Sequence, residues 1–386
     1  MSFTSTFNSL SARGFGAGSA SGSGSYALSA NIGNFEYSQQ AINPDGNFLA
    51  IQGNSQSFGG NCLIYKINSG IPNLQTTLNA NIGNASLFDT MSFSYDGNYF
   101  LSGGFAQDSG NFTNNGLVRV WIKSGNTWVT QQDISGVANN DLFGKVSVID
   151  NDGQRFLACG SLNPRIYNRS GNSWSLEANI QPVGNLVIFD GDMDANGTVI
   201  GIGYPEYSNN QGKVEIYNRS NTTWSLTTTL YGSNINAYSF GRSLKIHPYG
   251  NLIAISEPDA NVGNISNVGQ VYIFSLISNT WTQTQILTPD PFYQQDFFGG
   301  IKNMIDIGNS FLTIGSNNFT PNVGFAPGTI FTYQLFSGNY VFQDILYNPI
   351  ANSTNFGTSI SISENAQYLT TFVSSNSTSK LLLYSQ

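Results

Sequence analysis

The chain repeats itself. Asn140 opens NDLFGKVSVIDNDGQRFLACGS, and the same order of features returns from Tyr238 (YSFGRSLKIHPYGNLIAISEP) and from Thr354 (TNFGTSISISENAQYLTTFVS). Each passage has Phe-Gly, an alternating run, a turn and a second apolar run. After a loop of variable length comes a third run: LVRVWIKSG from Leu117, KVEIYNRS from Lys213, QVYIFSLIS from Gln270. A tight turn then leads to a fourth: NTWVTQQDI from Asn126, NSWSLEANI from Asn172, TTWSLTTTL from Thr222, NTWTQTQIL from Asn279. The anchoring phenylalanines are read at Phe35, Phe88, Phe143, Phe189, Phe240, Phe298 and Phe356, 46 to 58 residues apart. Fixed recurrence at this period marks a repeat architecture rather than separate domains.

The runs alternate with period 2, as in Ser359-Ile360-Ser361-Ile362-Ser363, which is a strand pattern. Asp45-Gly46, Asp96-Gly97, Asp152-Gly153 and the Ser-Gly-Asn steps at Ser124 and Ser170 supply turn chemistry between them. Four strands per unit, repeated radially, predict an all-β, seven-bladed β-propeller with four-stranded blades. A single blade would leave two apolar faces in water, so only a closed ring is stable.

The seventh unit reaches a third strand, KLLLYSQ, at Gln386, while Gly22 to Phe35 (GSGSYALSANIGNF) reads like a fourth strand ahead of any unit. The expectation is that Tyr26–Ile32 lies beside Lys380–Tyr384 and closes the last blade, with Tyr26 in the place of Trp174. Residues 1–21 then form a Ser/Gly-rich leader and 22–386 the propeller.

Phe143-Gly144, Phe240-Gly241, Phe298-Gly299 and Phe356-Gly357, with Trp128, Trp174, Trp224 and Trp281 after the Ser-Gly-Asn-type turns, resemble the FG-GAP-like propeller repeats, which also occur in the integrin α-chain head. The resemblance covers Phe35 to Gln386. It implies a propeller; the family spans adhesion, lectin-like and scaffolding roles. Some of its blades hold calcium in a D-x-D-x-D-G-x-x-D loop. Here Asp192-Met-Asp194-Ala-Asn196-Gly197 comes nearest, but Ile200 stands where the last carboxylate belongs. Calcium wants six or more oxygens, several anionic, so the segment reads as a turn and no metal or other cofactor is expected.

Only 9% of residues are charged, against about 25% in an average protein, and the net charge is −8 with 14 Lys plus Arg. No basic run exists to grip a phosphate backbone, so nucleic acid is not an expected partner. No apolar run reaches 18 residues, and the first residues lack a secretory h-region, so no membrane insertion is expected. Cys62 and Cys159, each in an apolar strand, read as buried free thiols. The sequons at Asn168, Asn218 and Asn318 are what an Asn-, Ser- and Thr-rich chain produces by chance.

His247, the one histidine, sits at a turn with no orienting partner in sequence, so no catalytic residue is assigned. The repeated Trp and Phe read as packing between blades. Long loops between second and third strands, and between blades, share one face. On that face Tyr204, Glu206, Tyr207, Phe292 and Tyr293 are the candidate contacts, because exposed aromatics favour protein or glycan binding. The expected role is therefore a non-enzymatic structural or interaction protein of a virion or extracellular surface, meeting a protein assembly, or alternatively a lectin-like propeller meeting a surface glycan. A hydrolase or lyase would instead gather acidic residues at the axial mouth.

Overall fold

A computed structural model describes residues 26–35, 39–53, 60–82, 86–182, 186–232, 239–290, 296–300, 303–316, 328–350, 353–375 and 378–386. The chain forms seven four-stranded antiparallel sheets. Blades one to six span residues 40–79, 90–135, 146–179, 190–230, 244–287 and 305–347, and consecutive strands are neighbours from the axis outward. Blade seven takes three strands from residues 360–385 and its outermost from Ala27–Phe35. Innermost strands of successive blades touch, and blade seven returns to blade one. The structure is a seven-bladed propeller.

The closure follows the sequence expectation. Leu28 pairs with Tyr384, Asn31 with Leu382 and Ile32 with Leu381. Tyr26 is buried, its ring edge-on to Phe311 of blade six at 6.1 Å, and its hydroxyl donates to the Ala366 carbonyl at 2.7 Å. In blade two Trp128 stands edge-on to Phe48 of blade one, and its Nε1 donates to the equivalent turn carbonyl, Gly97 O, at 2.9 Å. Tyr26 thus plays the part tryptophan plays elsewhere.

The core is distributed rather than central. Seven buried clusters each join one blade to the next, from Phe48, Trp121 and Trp128 at blades one and two to Phe35, Leu49 and Phe372 at blades seven and one. The Phe-Gly motif has a steric cause. Its glycine in blade five, Gly241, holds φ +89°, and a Cβ there would lie 2.9 Å from the Lys213 carbonyl oxygen of blade four. The same approach recurs between Gly357, at φ +80°, and the Thr329 carbonyl oxygen at 2.6 Å. The repeat therefore needs a bare backbone at this point.

Two anchors sit differently from the sequence reading. Phe35 ends the closing strand instead of opening blade one. In blade four Ile188 is the fully buried residue, and half-buried Phe189 lies under Lys145 Nζ (5.1 Å) and the Arg242 guanidinium (5.0 Å). Both cysteines are buried and unbridged. Every outermost strand carries a bulge; Gln131, for instance, is skipped between Thr130 opposite Trp121 and Gln132 opposite Val120. Bulges blunt exposed sheet edges.

At the end of the wheel where first and second strands turn, hydrogen bonds run from blade to blade. Tyr95 N donates to Asn151 O, Asn151 N to Ala195 O, Ala195 N to Pro248 O, Asn309 N to Glu364 O, and Glu364 N to Pro44 O. Pro44 and Pro248 have no N–H to give. The preceding side chain replaces each: Asn43 Nδ2 donates to Tyr95 O at 2.7 Å, and His247 Nε2 reaches Asn309 O at 3.1 Å. The ring of seven links is complete.

This use fixes the histidine as neutral, with Nε2 protonated and Nδ1 accepting from Tyr249 N at 3.2 Å. Burial lowers its pKa below the ordinary 6.5, outweighing the Asn309 carbonyl and Glu364, which favour the cation. The unfolded chain therefore binds a proton first, and the stability from neutral His247 is lost as pH falls below about 6.5. His247→Asn should copy Asn43, keep the bond to the neighbouring blade's carbonyl, Asn309 O, and lose this acid sensitivity. His247→Ala should cost about 1–3 kcal/mol at neutral pH. Urea unfolding of the three proteins between pH 7.5 and 5 checks this; parallel curves for wild type and the Asn variant would refute it.

Candidate functional site

The seven innermost strands present one ring of side chains to the axis: Ala41, Ser92, Val148, Asp192, Lys245, Asp306 and Ser361. An innermost strand has an unpaired edge, and its N–H groups need acceptors. Ring residues supply them across blade boundaries. Ser92 Oγ accepts from Ile149 N (3.2 Å), Asp192 Oδ2 from Ile246 N (2.8 Å), Asp306 Oδ2 from Ile362 N (2.8 Å) and Ser361 Oγ from Ile42 N (3.1 Å). Lys245 cannot accept, and Ile307 N turns instead to Asp306 Oδ1 at 3.0 Å.

Lys245 Nζ lies 3.9 Å from Asp192 Oδ1 and 3.9 Å from Asp306 Oδ1. Burial pushes the Asp192 carboxyl up to about 6 against the pull of Lys245 and the Ile246 amide, and raises Asp306 likewise. Burial alone would lower the Lys245 ammonium, but Asp192, Asp306 and Asp190 carry it well above its ordinary value. The channel cavity these groups line measures ≈ 180 Å³ and is polar enough to hold water.

Toward the turn end the channel widens into a vestibule of ≈ 450 Å³ lined by Tyr95, Asp96, Asn151, Asp152, Asn196, Tyr249 and Glu364, among others. Tyr95 is 43% exposed and Tyr249 67%. Glu364 Oε2 accepts from Asn151 Nδ2 at 2.7 Å. Partial burial raises the Tyr95 phenol, and Asp45 and Glu364 raise it further by their charge.

The residues singled out from sequence fall elsewhere. Tyr204 ends a second strand and is wholly buried, under Lys213 Nζ at 5.3 Å, so it offers no contact surface. Glu206 is exposed, and Tyr207 is half-buried 6.2 Å from exposed Tyr231; both lie on the opposite face from the vestibule. Tyr207 precedes three residues of positive φ, Ser208 to Asn210. Phe292 and Tyr293 lie outside the described residues. Asp192 and Asp194 diverge: the first points to the channel, while Asp194 Oδ1 caps its own turn through Thr198 N (2.6 Å) and Val199 N (2.7 Å). No group of three His, Cys, Asp or Glu side chains able to hold a metal occurs among the described residues.

The vestibule residues escaped sequence reading because they sit in short turns between first and second strands, two of them already explained by Asp96-Gly97 and Asp152-Gly153. The available signal was an aromatic at a turn tip, Tyr95 in SYDG and Tyr249 in HPYG, outside the repeated Phe and Trp positions. Compared with known proteins, the chain matches no family model and no curated protein.

Proposed function

We propose that this propeller is a non-enzymatic interaction protein of a virion or extracellular surface, and that it receives a partner at the axial vestibule. One observation carries the reading: two solvent-open tyrosines flank a concave, carboxylate-lined mouth on a scaffold fixed by a closed ring of hydrogen bonds. Exposed aromatics in a rigid concavity are the ordinary anchors of recognition. Acidic residues do gather at the axis, as a hydrolase would require, but the channel carboxylates are occupied in capping backbone amides and flanking Lys245. That occupation favours scaffold over acid–base chemistry.

A lectin-like role is the second reading, since tyrosine with carboxylate and amide also suits a sugar. A photocrosslinking residue replacing Tyr249 should trap a discrete partner in the native source, and the same residue replacing exposed Leu226 on the outermost strand of blade four, away from the mouth, should not. Absence of adducts at position 249 removes the proposed site. Mass spectrometry of purified surface or particle fractions should find the chain at many copies; its absence removes the proposed location.

A further inference from the structure

We infer that the axial cavity binds an alkylammonium group, the side chain of a lysine on a protein partner, entering through the vestibule. The inference rests on the proposed role of the vestibule and names the chemistry it selects.

Negative charge at the mouth is not compensated from within. Asp96, Asp152 and Glu364 line it, with Asp45 close enough to act on Tyr95, and none of the ion pairs among the described residues engages these four. Three cations on this side of the wheel are committed elsewhere, Lys123 over Phe48 at 4.3 Å, Arg169 over Tyr99 at 4.6 Å and Arg219 paired with Glu177 at 2.8 Å, and exposed Lys66 stands outside the vestibule lining. Two open tyrosine faces beside unpaired carboxylates attract a cation with an apolar stem. A bare metal ion fits less well, because the carboxylates stand on separate turns and do not converge.

Further in, Gln40 lines the channel and is nine-tenths buried. Its Nε2 donates to Ser359 O and Thr370 O at 3.0 Å each, while its Oε1 meets no donor among the described residues. A buried acceptor without a donor asks for one. The channel wall carries Asp192, Asp306 and Glu364 against one ammonium, Lys245. Lys245 itself shows that the axis accommodates an ammonium between carboxylates of neighbouring blades.

Calorimetric titration of the full chain with acetylated tetralysine amide, with spermidine and with maltohexaose tests the inference. Tetralysine should bind most tightly, and its affinity should fall as salt rises from about 20 to about 200 mM. Tyr249→Ala should weaken it about 5- to 30-fold and Tyr249→Phe less than about 3-fold, since the ring face and not the hydroxyl makes the contact. Asp152→Asn should also weaken it, with unchanged thermal unfolding in all three variants. Unchanged affinity in Tyr249→Ala and Asp152→Asn would mean diffuse attraction to an acidic protein and overturns the inference. Binding of maltohexaose alone overturns it in favour of a sugar, and tighter binding of spermidine overturns the protein source in favour of a free polyamine. Crosslinks from position 249 without tetralysine binding would leave the vestibule as an interaction site and remove only the cation.

Discussion

A chain that begins at Glu36 should fail to fold cooperatively, and a synthetic peptide of residues 22–35 added in trans should restore it. The outermost strand of blade seven would be missing, exposing the amides and carbonyls of Leu381–Ser385. Tyr26, Ile32 and Phe35 would leave the interfaces of blade seven with blades six and one. Burying each such side chain contributes about 1.5–3 kcal/mol, and three of them approach the roughly 5–15 kcal/mol that holds a typical protein folded. The loss is not local, because both neighbours of blade seven depend on that strand. Near-UV circular dichroism and urea unfolding would report it, against a control that begins at Gly22. An unchanged unfolding midpoint in the shorter chain would show that the ring holds without its clasp. Within the intact chain, Tyr26→Ala should cost about 3–5 kcal/mol. Tyr26→Trp should be tolerated, because Trp128 already makes the equivalent bond to Gly97 O.

Why this closure was legible in sequence, and the vestibule was not, has a physical reason. The repeat is written by packing. Phe-Gly, the aromatic after the fourth turn and the period-2 runs recur because each blade must fill the same wedge between neighbours. A misplaced copy, SYALSANI, is therefore visible even 350 residues from its blade. Where the wedge tolerates variation the reading slipped, as at Phe189, where Ile188 fills the core and the ring turns toward two cations. The axis obeys a different rule. Its residues answer to unpaired strand edges, so Ser, Asp and Lys alternate with Ala and Val at one structural position with no shared pattern. The seven-link ring is hidden for a related reason: it is a backbone feature, and only its two exceptions, Asn43 and His247, enlist side chains. Tyr204 misled because an aromatic beside Pro205 resembles a loop residue, whereas the strand runs through it to its last buried place.

Arg165→Met should cost about 3–5 kcal/mol, while Arg119→Met at the equivalent place one blade earlier should cost clearly less. Both arginines lie at the start of a third strand, largely buried, with a carboxylate at 2.6 Å. Their partners differ. Asp141 is wholly buried, and its Oδ2 takes both the Arg165 Nη2 proton and Val137 N at 2.8 Å. Without the guanidinium its charge would remain in the interior with one amide for support, the situation that makes removal of half a buried pair so damaging. Asp133 is 37% exposed. When Arg119 is lost, water can solvate that carboxylate, and the main cost is the bond from Nη1 to Ala80 O and the stacking on Trp121. Adding Asp141→Asn to Arg165→Met should recover most of the loss, because the amide oxygen still accepts from Val137 N and no charge is left behind. Chemical denaturation of the two single variants and the double variant decides the matter. Equal losses for Arg165→Met and Arg119→Met, or no recovery in the double variant, would mean that packing of the arginine stems, rather than the stranded charge, sets the cost.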